Sequence, residues 1–163
     1  MDWYPWVVLA HVLGAFGFVF AHGVSAFVAF RLRSARTSEQ VTTLMGLSSS
    51  SLTLAYASLF VLLVAGIAAG FMGDWWGGAW IWISIGLLLA IATAMYLVGT
   101  KYYVEVRHAV GLAAPQDPRG AAFEPTHPDA LARVLDSRRP ELLAAIGGGG
   151  LAALIALMVL KPG

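Results

Sequence analysis

Two histidines, His11 and His22, stand inside a stretch from Val7 to Phe30 that contains no Asp, Glu, Lys or Arg. That stretch is long enough to cross a bilayer, which takes about 20 apolar residues. Ionisable side chains at such depth are costly and mark function. At about 100° per helical residue the two positions are separated by roughly 1100°, or three turns plus about 20°, so they share one face, about 16 Å apart along the axis. The same face carries Gly14, Ala15, Phe18, Ser25 and Ala29. Imidazoles interleaved with small residues offer axial nitrogens and room for a planar macrocycle, the needs of a buried b-type haem. Their separation prevents both from ligating one iron, so they serve either two sites or one site with a spare. Met95, on a later apolar segment and level with His22, offers a His/Met pair. The same residues admit copper or another ion passing along His11, His22 and Met95, proton handling, or a plain hydrogen bond to a neighbouring helix. Because the chain has no cysteine, thiolate sites, disulfides and thioether-linked haem are excluded.

Four apolar segments position these residues. The first runs from about Tyr4 to Phe30, opens on the interfacial rings Trp3, Tyr4 and Trp6, and closes on Arg31, Arg33 and Arg36. The second, about Leu52 to Met72, is entered through Ser48 to Ser51; a helix capped at Thr37 or Ser38 either runs straight into it or breaks at those serines. A short link, Gly73 to Gly78, makes spans two and three antiparallel neighbours, with Trp75, Trp76, Trp80 and Trp82 at the level of Trp3 and Trp6. Span three covers about Ala79 to Gly99 and continues through Lys101, Glu105, Arg107 and His108. Pro115, Pro118 and Gly120 break the next loop, after which Thr126 caps a short amphipathic helix reaching about Ser137, with Leu131 and Leu135 on one side. Pro140 opens the last span, about Glu141 to Leu160, whose Gly147 to Gly150 run suits close approach of a helix more than of a flat ligand. His108 and His127 lie in the connector, placed for a surface metal or for no ligand role at all.

The chain has 163 residues, 59% hydrophobic and 12% charged, with mean hydropathy +0.76. A soluble domain carries about 25% charged residues, so the bilayer is the first partner. Net charge +1 gives no electrostatic case for nucleic acid. The N-terminus lacks a positive n-region and its apolar run exceeds a signal core, so it reads as a retained span. Arginines and lysines crowd the first and third connections, while Asp2 and Asp74 are alone on the other side. The expectation is an all-α, four-helix transmembrane bundle forming one domain in a bacterial-type plasma membrane, with both termini outside; Lys161 alone dissents.

The first span, Trp6-x-x-x-x-His11-Val12 with a Gly/Phe-rich run ending Phe30-Arg31-Leu32-Arg33, resembles the first helix of the DUF2269 membrane proteins. It is more distantly similar to the copper-resistance D and HemJ-type protoporphyrinogen oxidase families, whose first helix also bears an early histidine and ends near an arginine. The resemblance covers the chain to about Ala35 and, beyond that, the four-span layout. It implies haem ligation for His11 and matches Arg31 or Arg33 to the helix-ending arginine; protoporphyrinogen-oxidase-like activity enters only by this route. His22 has no counterpart. Taken together, the expected function is a small membrane cytochrome or cytochrome-like subunit binding one or two haems b through His11 and His22, with Gly14, Phe18, Ser25 and Met95 around them. Arg31 and Arg33 would pair with propionates or lipid phosphates. The alternatives are a haem-free copper or ion module and a structural anchor. A redox subunit, a quinone and a second copy of the chain are the expected partners.

Overall fold

The computed structural model describes residues 2–162. They form α1 (Tyr4–Leu32), α2 (Ser38–Met72), α3 (Ala79–Ala109), α4 (Pro128–Leu135) and α5 (Arg139–Leu160), with a single 3₁₀ turn at Trp75–Gly77; no strand occurs among the described residues. Four helical stretches are long and apolar enough to cross a membrane, the only open structure that satisfies its own backbone in lipid. Pro5 sits in the first turn of α1, where its missing N–H is not needed. Thr37 caps α2 by accepting from Gln40 N. The serines do not break α2: Ser49 and Ser50 donate to the Met45 and Gly46 carbonyls one turn back, so their hydroxyls are satisfied within the helix. With 35 and 31 residues, α2 and α3 measure about 52 and 46 Å, so both project beyond a hydrocarbon core of about 30 Å.

Glycines set the helix pairs. A methyl group added at Gly14 would stand 2.7 Å from Leu62 N, one at Gly17 would collide with the Ser58 hydroxyl, and one at Gly66 would stand 2.8 Å from His11 Nδ1. This descending register makes α1 and α2 a close antiparallel pair, packed backbone to backbone as small residues permit in membranes. The second pair is α3 with α5, where Gly150 receives Ile91 and Gly99 meets Leu143. The pairs join where α1 lies against α5. The expected neighbours α2 and α3 do not pack closely along their lengths. At their linked ends Trp76 stands between them, its indole lying over Gly70 and between Phe71 of α2 and Trp82 of α3, with centroids 5.2 and 5.6 Å away. A short link guarantees proximity of two helix ends, not contact of two helices.

The best-buried cluster gathers at one end: Val28 and Leu32 of α1, Val41 and Met45 of α2, Tyr102 and Val106 of α3, Leu131 and Leu135 of α4, and Leu143 of α5. We call this the arginine end, since Arg33 pairs there with Glu141 and, at 3.6 Å, with Asp136, and Arg139 pairs with Glu105 at 2.6 Å. The Tyr102 hydroxyl is buried without a partner among the described residues. The cap of α4 differs from expectation: His127 Nδ1 accepts from Asp129 N, while Thr126 turns back to bond the Ala109 carbonyl through both its amide and its hydroxyl. The helix ends at Leu135, two residues before the expected Ser137. At the tryptophan end, Trp75 donates to the Tyr4 hydroxyl at 3.1 Å, bringing the first and second aromatic groups together. Lys161 Nζ lies 3.9 Å above the Trp75 ring, a cation–π contact that gives the dissenting lysine a local partner.

Candidate functional site

His11 projects from α1 into the seam with α2. Its Nδ1 is 2.8 Å from the carbonyl oxygen of Leu62. A carbonyl only accepts, so Nδ1 carries the proton, and in the neutral ring the lone pair is on Nε2. The Nδ1–Cε1 edge rests against Gly66, where an added methyl would stand 2.8 and 2.9 Å from those two atoms. His11 is partly exposed rather than enclosed. An imidazole fixed by a carbonyl at one nitrogen and open at the other is the arrangement metal-bound histidines share. It is equally a stable way to seat a histidine between two helices.

His22 faces a different helix. Its Nε2 points at Gly147 of α5, where an added methyl would collide with Nε2 and stand 2.7 Å from Cε1. Phe18, one turn earlier, stacks on the ring at 6.4 Å and 16°. Of the four glycines, Gly147 and Gly150 are used for close contacts, and Gly148 and Gly149 face open space. The two imidazoles therefore occupy separate notches, one cut in α2 and one in α5.

The other expected residues divide between packing and polar contacts. Gly14 is filled by the Leu62 backbone and is not open to a macrocycle. Ser25 Oγ is 2.9 Å from Ser51 Oγ, and the Ser25 carbonyl accepts from the Tyr103 hydroxyl at 3.0 Å, so α1, α2 and α3 meet there through hydrogen bonds. Met95 packs on the arginine-end cluster. Arg33 is held by Glu141 and Asp136, and Arg31 is exposed. Both arginines lie about 30 Å along α1 from His11 at about 1.5 Å per residue, out of reach of a group bound there. His108 belongs to a loop anchor: Nε2 is 2.8 Å from Asp117 Oδ2, and the ring stacks on Phe123 at 3.9 Å and 11°. The Asp117 carboxylate also accepts from Ala114 N, and these bonds hold its pKa below the usual carboxylate range. Among the described residues, no three of His, Asp and Glu converge as a metal site.

Gly66, Gly147 and the Leu62 carbonyl were not among the expected site residues. Gly66 had a readable signal, because Gly66-x-x-x-Gly70 places two small residues on one helix face. A backbone carbonyl has none. Comparison of the chain with protein-family models, curated proteins and solved structures gave no match in any of the three.

Proposed function

We propose that the chain is a membrane haem-binding protein of the small b-type cytochrome kind, alone or as the haem-carrying subunit of a redox assembly, with His11 as its axial ligand. The observation that carries this reading is the His11–Leu62 hydrogen bond, which places a proton on Nδ1, so that the neutral ring presents its Nε2 lone pair inside an apolar span. The fit is to one axial nitrogen. The glycines beside it on α1 are filled by α2, so a macrocycle would lie on the partly exposed flank of His11, outside the Gly14–Leu62 contact. Bound haem supplies one-electron exchange. The chain's own part is to hold the imidazole against rotation through the Leu62 carbonyl and to present Nε2 within an apolar span. In this reading there is one haem, His22 is a packing residue, and the arginines belong to the lipid interface. The arginine end faces the cytoplasm of a bacterial-type plasma membrane, with both termini outside. The distant likeness of the first span to HemJ-type proteins, which implies haem ligation by the early histidine, supports the same reading.

One observation favours the competing anchor reading: each imidazole fills a notch that a glycine leaves, so packing alone accounts for both. Visible spectra of the oxidised and reduced protein, purified after expression with haem supply, decide between them. The expected result is a Soret band that His11→Ala abolishes and His22→Ala retains. No Soret band in the wild type refutes the haem reading, and bound copper without porphyrin moves the protein to the ion-handling class.

A further inference from the structure

At the arginine end a groove of about 400 Å³ runs between α3, α4 and the start of α5, lined by Glu105, Ala130, Arg133, Val134, Ser137 and Arg139. We infer that this groove binds the phosphate of an anionic lipid headgroup. Arg133 Nε donates to the Asp129 carbonyl at 3.3 Å, which leaves its terminal nitrogens without a partner among the described residues. Arg139 uses Nη1 on Glu105 and retains the rest of its guanidinium fork. The Ser137 hydroxyl, in the groove wall, is buried and has no partner among the described residues. Two guanidinium groups in an otherwise largely apolar lining, with the Ser137 hydroxyl buried within the wall, offer donors to phosphate oxygens, for which arginine's planar fork is suited. The first turn of α5 adds the positive end of its dipole. Glu105 is the one opposing charge in the lining, and Arg138, exposed beside it, adds a further positive charge.

Position selects a lipid over a soluble phosphate. Arg139 stands about 5 Å before Leu142, where the apolar run of α5 begins, which is the depth of headgroups just outside the hydrocarbon. The ion pair with Glu105 holds α3 and α5 level at that depth, and α4 lies against α3 with Leu131 and Leu135 buried. The resulting groove opens where a phosphodiester would sit beside the protein.

The test is calorimetric titration of the full chain in neutral detergent with short-chain phosphatidylglycerol, with phosphatidylcholine and inorganic phosphate as separate arms. Saturable phosphatidylglycerol binding is expected, with phosphatidylcholine about tenfold weaker or more, a difference of about 1.4 kcal/mol. Arg133→Gln should weaken binding about tenfold and Ser137→Ala a few-fold. Arg119→Gln makes the same charge change in an exposed loop that does not line the groove and should leave binding unaltered. Ser137→Ala removes only a hydroxyl, so it tests the site should Arg133→Gln disturb the fold. The inference is overturned by equal weakening in Arg133→Gln and Arg119→Gln, by unsaturable binding, or by inorganic phosphate binding as tightly as the lipid, which would assign the groove to a soluble phosphate.

Discussion

Replacing Gly66 by alanine tests the seat of His11 most directly. The new methyl group would lie 2.8 Å from Nδ1 and 2.9 Å from Cε1, whereas ordinary contact begins at 3.4 Å. The ring must retreat by about 0.5 Å, which stretches the 2.8 Å bond to the Leu62 carbonyl toward the limit of useful geometry at about 3.3 Å. Overpacking of this size costs about 1–3 kcal/mol, and a weakened interhelical hydrogen bond in a membrane about 0.6 kcal/mol more. Alanine's helical advantage over glycine, about 1 kcal/mol in water, offsets part of this. A net loss of about 1–2 kcal/mol is expected from these terms, read from reversible unfolding in mixed micelles titrated with a denaturing detergent. Gly149→Ala, where nothing lies within 4 Å, should lose nothing. Because His11→Ala removes the obstructing ring, the double variant should be more stable than the sum of the single losses requires. Equal stability of Gly66→Ala and Gly149→Ala, or strict additivity in the double variant, would show that His11 is not seated as described.

Gly147→Ala should destabilise more than Gly148→Ala in the same assay, by about 1–3 kcal/mol, and His22→Ala should relieve it; the signature of failure is an indifferent Gly147. The loop anchor at Asp117 has a defined pH dependence. Its carboxyl pKa is lowered from 3.8 in the folded chain, so its contribution to stability is present above that value and is lost as pH falls through the lower, folded pKa. Amide protection in the segment from Gly111 to Phe123, taken as the exchange rate relative to the intrinsic rate at each pH, should therefore hold on descending to pH 3.8 and fall below it, whereas Asp117→Asn should show low protection throughout. Loop protection that neither falling pH nor the Asn substitution alters would remove the anchor.

The four spans, the aromatic level of Trp3 to Trp82 and the shared face of His11 and His22 follow from hydropathy and the helical period, and all are local properties of the chain. What helical periodicity could not supply is which helix covers that face. His11 meets α2 and His22 meets α5 because α1 is flanked by both, a relation set by glycine notches in segments far away in sequence. The α2–α3 contact differs from expectation for a related reason: link length bounds the separation of two ends, while the packing of α2 on α1 and of α3 on α5 decides which shafts meet. His108 and Asp117 come together through a loop whose glycines and prolines announce irregularity without specifying its path. Thr126 and His127 both offer an acceptor at the start of α4, and the competing Ala109 carbonyl decides between them.

The α1–α2 seam also bears on how the molecule is made. Its contacts, from Gly17–Ser58 to His11–Gly66, involve only residues before Met72, and the two helices are separated by the short link from Arg33 to Thr37. This hairpin is complete once the ribosome has delivered the first two spans, so its loop-closure entropy is small. The α3–α5 pair must instead wait for the whole connector and α4 to emerge. When α5 does enter, it meets two side chains already in place, Ile91 of α3 and His22 of α1, and its own glycines, Gly150 and Gly147, are the notches that receive them.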